Sequence, residues 1–411
     1  MIMRIGISSL LNILIILLVQ TLSVSILDAE AAASSSFPPP PLSPYSCISY
    51  TPSKRLITVA CNSANLTDIF NQLNDDSILK KESSAGNDRN DTIWLLNAKL
   101  LISKNSKFTI DSADTAWLKI GSDGISAYSI IVYGSMKIDS VKITSWNPKI
   151  NTYATNIGPE PRAFIRVMKE ATGTTDITNS EIAYLGYSPN IPPRAGVNSG
   201  LNYDGGHGSI LRANNIHHLW AGIYSRGVDH VIIENNNVHH NYHYGLDPHT
   251  GTHDIVIRNN TVHDNGEEGI ICSLDCYNLR IENNEVYNNT QAGIMFSRNM
   301  TNSVARNNYV HEEDKGIFVS QSDNNEIYNN TVLNSRNGIY LKSSSSDNKV
   351  YNNTIVNSTS NGILVNVDSS RNTFYSNTIR IINPVTNGIN VLDPANSVGN
   401  KFENNQIVRF K

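Results

Sequence analysis

The chain has 411 residues, a formal net charge of −4 and a pI near 6.3. That length could hold two or three ordinary domains or one elongated repeat unit. The near-balanced charge excludes a general basic surface of the kind that holds nucleic acid, leaving only a local basic patch open.

Residues 1–33 begin with Arg4, continue through an apolar run from Ile5 to Ile26 and reach Ala29-Glu30-Ala31, an A-x-A-like cleavage pattern. A secretory signal peptide is expected, with an uncleaved anchor as the alternative because the run approaches the length of a membrane span. No second apolar run of that length follows. The mature protein is therefore expected to be exported, to a periplasmic, extracellular or cell-surface location, without a membrane span.

Residues 34–46 read SSSFPPPPLSPYS, and the proline run makes them an extended linker, placed here at 34–61. Four cysteines in an exported chain predict two disulfides, and their spacing favours Cys47–Cys61 and Cys272–Cys276. A zinc site is the competing reading, but paired CxxC spacing is missing.

Residues 62–411 are expected to form one domain. Within 62–81, Leu66, Ile69, Phe70 and Leu73 fall at helical spacing, which predicts one short amphipathic helix capping the start of the β region. From Ile93 the pattern changes to brief runs of β-formers such as SIIVYG and KIDSVKITSW, broken by Gly, Ser, Asp and Asn.

A repeat then takes over. Asn-Asn-x-Val/Ile elements or close variants place a β-branched residue at Ile216, Val238, Val262, Val286, Val310, Val332, Ile355, Ile379 and Ile407. Most intervals are 22 to 24 residues, the last 28. Gly followed by Ile or Leu recurs in step at Gly222, Gly245, Gly269, Gly293, Gly316, Gly338, Gly362 and Gly388. Two marks sharing one period, with three short β segments per period, predict an all-β fold: a right-handed parallel β-helix of about twelve coils of 22–24 residues, roughly 55 Å long. A leucine-rich repeat has a similar length, but its sequence frame is absent. Sequons at Asn65, Asn90, Asn259, Asn288, Asn299, Asn329, Asn352 and Asn357 mostly coincide with turn asparagines, which favours a structural role.

Ten of the eleven histidines lie between His207 and His263, so the regular pattern is broken locally. The stretch YHYGLDPH at 242–249 concentrates this departure, and His253 follows it. With each Gly-Ile/Leu as a common origin, the position four residues on is Arg226, His249, Ser273, Ser297 and Ser320 in successive coils. Two residues on lie Tyr224, Asp247, Ile271, Met295 and Phe318; one residue before lie Ala221, Tyr244, Glu268, Ala292 and Lys315. Strand alternation turns the first two columns away from the core, so Tyr224, Arg226, Asp247 and His249 are expected on one exposed face bordered by Tyr244. A histidine, a tyrosine and an aspartate can move protons there while an arginine neutralises an anionic substrate. The alternative is a set of solvated turn and ladder residues. His217, His218, His239, His240 and His263 are read as ladder residues, with a metal role as the alternative, and His207 is left unassigned.

YGLDPH at 244–249 resembles the Y-G-x-D-P-H signature of the mannuronan C5-epimerases, most closely their periplasmic single-domain type. PRAFIRV at 161–167 and ITNSEIAYLGY at 177–187 support the resemblance, which covers about residues 90–400. It implies isomerisation of β-D-mannuronate to α-L-guluronate within an anionic polysaccharide, without cleavage and without a cofactor. His249 and Tyr244 match the proton-transfer pair and Asp247 the signature aspartate. The family's arginine ends a G-I-I-x-S-R string, which here reads GIICSLD with Leu274 in its place; one coil later GIMFSR ends in Arg298. Arg226 and Arg298 are therefore both candidates to neutralise the substrate carboxylate, with Tyr224, His253 and Lys315 as substrate-binding candidates. The calcium-binding repeats of the modular epimerases are absent. Competing expectations are a polysaccharide lyase and a non-catalytic glycan- or metal-binding β-helix, in each case a monomer.

Overall fold

The computed structural model describes residues 46–82, 92–158, 160–188 and 198–410. The expected signal segment, the linker up to residue 45 and the sequon at Asn90 lie outside the described residues. Among the described residues no helix is long and apolar enough to cross a membrane.

The described residues from Cys47 onward fold as a parallel β-solenoid of about 13 turns. Its described strands form three sheets of 14, 15 and 12 strands, in which each strand pairs with its counterpart one coil earlier and one coil later. Among the described residues antiparallel pairing is confined to the N-terminal strands, to Thr152–Tyr153 and to an isolated bridge between Ser122 and Ala127.

The repeat explains the packing. The β-branched residues Ile216, Val238, Val262, Val286 and Val310 are fully buried and stack in register through the second sheet. Each one pairs with a β-branched residue in the next coil, which keeps the core cross-section similar along this stretch. The glycine column answers a steric demand. A Cβ added at Gly245 would stand 2.6 Å from both Gly269 O and Val262 Cγ1.

Each Asn-Asn pair divides two roles. The first asparagine takes the left-handed conformation the turn requires, as at Asn235 (φ 57°) and Asn259 (φ 54°). The second enters a buried ladder: Asn236 Nδ2 donates to Asn260 Oδ1 (2.9 Å) and to Leu211 O (2.9 Å), while its backbone N–H also donates to Asn260 Oδ1 (2.9 Å). These contacts satisfy turn groups that burial would otherwise leave unpaired.

The N-terminal end departs from expectation at residues 48–59, while the short helix forms on the expected residues. Residues 48–59, placed in the linker, form the antiparallel strands Ile48–Thr51 and Leu56–Val59, and the second joins the first sheet. Ile57 and Val59 are buried there, which gives this segment a hydrophobic anchor that proline-rich chain lacks. The helix spans only Leu66–Leu73, capped by Asn65 and Asp68 in a reciprocal pair of hydrogen bonds. It stops because Asn74 turns left-handed (φ 46°), and Leu79–Glu82 becomes a strand. Two disulfides, Cys47–Cys61 and Cys272–Cys276, are formed.

Candidate active site

The site is built on successive strands of the 14-stranded sheet, Ala221–Arg226, Leu246–His249 and Ile270–Ser273, with Ala292–Ser297 one coil further on. The register pairs Tyr224 with Asp247 and Arg226 with His249. Ile223 and Leu246 belong to the core, so the alternating Tyr224, Arg226, Asp247 and His249 leave the coil interior together. The columns inferred from the glycine spacing are thus brought onto one face.

Their exposure is not what the sequence predicts. Arg226 is exposed and His249 half-buried, but Tyr224 is 3 % exposed and Asp247 0 %. Outward residues on a crowded sheet face are covered by one another. The rings of Tyr224 and His249 are 5.3 Å apart, and Asp247 feels the charges of Glu268, Arg298 and Glu267 around it. Neither oxygen of Asp247 has a hydrogen-bond partner among the described residues.

Burial sets the protonation states. It lowers the His249 imidazole to about 4, with the positive charges of Arg298 and Arg226 adding to the effect. Burial also pushes the Asp247 carboxyl well above the usual carboxylate range, aided by the repulsion of Glu268. Glu268 itself is raised to about 7 by burial and by Glu267. The Tyr244 phenol is raised by burial and then by Glu267, to which its hydroxyl is hydrogen-bonded. Near neutral pH the centre therefore holds a neutral imidazole and a protonated phenol, beside a carboxyl whose burial favours its neutral form. His249 Nδ1 is hydrogen-bonded to Thr250 Oγ1, leaving Nε2 as the other ring nitrogen.

The two candidate arginines differ. Arg226 Nε and Nη2 hold Asp204 Oδ1 at 3.1 and 3.0 Å. Arg298 follows the strand Ala292–Ser297, is exposed with φ 52°, and has no ion pair among the described residues, yet its charge reaches Asp247, His249 and Tyr224. Leu274, at the family's arginine position, lies in a left-handed turn (φ 74°) enclosed by the Cys272–Cys276 disulfide.

Two expected substrate-binding residues are not drawn into the cluster. His253 lies in the next turn with its ring 4.5 Å from Tyr277. Lys315 is ion-paired to Asp314 and sits 5.6 Å from the Phe318 ring, touching the cluster only through its charge on Glu268. Sequence reasoning overlooked Asp204. Extending the glycine spacing one coil back to Gly200-Leu201 would have placed it in the column of Arg226 and His249.

The fold and this face together define a parallel β-solenoid with an outward acid–base cluster. Residues 175–406 match the family model described as "Periplasmic copper-binding protein (NosD)", more than half of the sequence, and the chain belongs to that family. The crystal structure of the periplasmic alginate epimerase AlgG aligns with a TM-score of 0.73 at 20% identity, covering 86% of this chain and 85% of that one. A mutant of the same enzyme gives 0.74 with the same identity and coverage. The Dettilon tailspike protein aligns at a TM-score of 0.50 and 16% identity, over 72% of this chain and 62% of that one. At these identities the likeness is one of fold. No curated protein matches the sequence significantly.

The family's description makes copper relevant, and the histidine-rich tract is where it could bind. The rings of His217, His239 and His263 stack face to face at 5.0 Å intervals, tilted by 14° and 8°. Their Nε2 atoms turn to separate partners, Glu181, Asn215 and Asn237. The Nδ1 atoms of His217 and His239 meet only those of His218 and His240, at 2.7 and 2.8 Å, and no group of three His, Cys, Asp or Glu side chains among the described residues could hold a metal ion. These residues do not fit a copper centre, and the tract serves as an aromatic ladder continued by Tyr287 and His311.

Proposed function

We propose that this protein is an exported C5-epimerase of a uronic-acid polymer, converting β-D-mannuronate to α-L-guluronate units. What supports the reading is the cluster around the buried Asp247: the imidazole of His249, two residues on in the same strand and held neutral by burial, can accept a proton, while the Tyr244 phenol, held protonated and feeling the Asp247 charge, can give one. This matches the needs of a reaction that removes a proton from one side of a ring and returns one to the other.

His249 Nε2 takes the C5 proton. Removing it leaves electron density on the substrate carboxylate, and the unpaired Arg298 guanidinium neutralises that charge. Asp247, whose burial favours its neutral form, donates a hydrogen bond to a carboxylate oxygen when protonated, which gives its buried and unpartnered oxygens a role. The Tyr244 phenol then protonates C5 from the opposite face; His249 afterwards releases its proton to solvent and the Tyr244 phenolate, hydrogen-bonded to Glu267 as a phenol, takes one up from solvent, which resets the pair. AlgG, named as an alginate epimerase, shares the fold, and the YGLDPH resemblance supplies the reaction class. A periplasmic location is consistent with the family's description.

Incubation of the protein with polymannuronate in deuterated water tests the reading. Deuterium should appear at C5 together with guluronate signals in the NMR spectrum, and both should vanish in His249→Ala and Tyr244→Phe. Unsaturated chain ends absorbing in the ultraviolet would instead show a lyase, since elimination shares the first step. Absence of exchange on every uronan tried would rule the epimerase out.

A further inference from the structure

Beside the acid–base cluster lies a trio that the proposed reaction does not use. Arg166 Nε and Nη2 hold Asp204 Oδ2 at 2.8 and 2.6 Å, while Arg226 holds Oδ1 of the same carboxyl. We propose that Arg166, Asp204 and Arg226 form a receiving site for the carboxylate of a second uronate unit, adjacent to the unit being epimerised. This rests on the uronan reading of the neighbouring site.

Charge is the first reason. One carboxylate balances one of two guanidinium groups, so the trio carries one surplus positive charge. The Asp204 side chain is only 5% exposed, and a carboxylate is retained in such a place where it fixes its partners. Each arginine grips through Nε and Nη2, leaving the Nη1 edge of a rigid planar fork directed elsewhere.

Position is the second. Arg166, Asn202, Tyr224 and Asp247 occupy one register column, and Arg226 pairs directly with His249. The trio therefore continues the reacting face toward the N-terminus in coil steps of about 4.8 Å. On the other side of Asp247 stand Glu267 and Glu268, with Arg298 following them and assigned to the reacting unit, so the neighbouring unit of a polyanion finds its cationic partners on the Arg166 side.

A similar trio, Arg212–Glu234–Arg258, occurs on the 12-stranded sheet and supplies an internal control. Its arginine side chains are 47% and 39% exposed, against 44% for Arg226 and 21% for Arg166, so Arg166 alone sets the proposed site apart.

Titration calorimetry with oligomannuronates of increasing length, at fixed low salt, tests the site. Wild-type affinity should rise once the oligomer spans both positions, and Arg166→Gln should lose that gain, weakening long oligomers about tenfold. Arg166→Lys, which keeps charge without the fork, should recover part of it, and Arg258→Gln should bind as wild type does. An oligomer whose carboxyls are reduced to alcohols should bind wild type and Arg166→Gln equally. Equal binding of long oligomers by Arg166→Gln, a matching loss in Arg258→Gln, or no oligomannuronate binding by wild type would overturn the site. If Arg166-dependent binding persists without deuterium exchange on any uronan, the epimerase reading falls and the carboxylate site stands. Exchange accompanied by Arg166-independent binding would remove the carboxylate site and leave the epimerase reading in place.

Discussion

The imidazole of His249 lies against the phenol of Tyr224, one coil earlier, with ring centroids 5.3 Å apart and planes inclined by 33°. The contact shields one side of His249 from water, contributing to the burial that keeps it neutral. Removing the ring should therefore act through the base and not through substrate contact.

His249 sets the acid limb of the pH profile. Its imidazole is lowered to about 4, so the base form persists well below the ordinary histidine value. C5 exchange should fall with an apparent pKa near 4, and in Tyr224→Ala that limb should move up toward the ordinary value of about 6.5. The rate of deuterium incorporation across an acidic pH series checks both. An acid limb already near 6.5 in the wild type would contradict the neutral-base assignment.

The arginines should separate by kinetic signature. Arg298→Gln removes the unpaired charge beside Asp247 and should lower kcat by about a hundredfold or more. Arg226→Gln removes a charge already held by Asp204 and should act mainly on KM. Steady-state rates of guluronate formation at varied polymannuronate concentration distinguish them.

Glu313 interrupts an asparagine ladder, accepting from Asn289 Nδ2 (2.8 Å) through Oε1 while Oε2 has no partner among the described residues. Burial raises its carboxyl to about 8. A raised carboxyl pKa contributes stability that is complete below the unfolded value and is lost as pH rises through the folded value. Between roughly pH 4.5 and 8 the wild type should thus lose on the order of a few kcal/mol that Glu313→Gln retains. Denaturant unfolding of both proteins at the two pH values measures the difference.

Asn260 tests the ladder itself. Its Oδ1 accepts from Asn236 N and Nδ2, and its Nδ2 donates to Ile233 O and Asn284 Oδ1. Asn260→Ala leaves several buried groups unpaired and should cost about 3 kcal/mol or more. Asn259→Ala, at the exposed left-handed position, should cost about 1 kcal/mol. Chemical unfolding midpoints of the two variants give the contrast.

The solenoid was legible because its two marks recur at one short period and each meets one physical demand, Val262 by filling the core and Gly245 by admitting a neighbouring carbonyl. The gathering of Tyr224, Arg226, Asp247 and His249 followed from the same spacing. Their burial did not, because it depends on how side chains of neighbouring coils cover one another, as the Tyr224 and His249 rings do. The choice between arginines was equally hidden, since it turns on Asp204 occupying Arg226 across a coil boundary. At the N-terminus, the mixed run of Ile48–Thr51 carries no period of its own, and its strand is dictated by its antiparallel partner Leu56–Val59.

Because every coil hydrogen-bonds only to the coils on either side, the chemistry from Arg166 to Arg298 is insulated from the number of coils beyond it. Those later coils extend the same face past Lys315, Tyr340 and Asn390 without touching the reacting groups. Gain or loss of one repeat there lengthens or shortens the track by a fixed step while the proton-transfer centre keeps its geometry. The fold thus acts as a gauge whose length can be reset independently of its reaction.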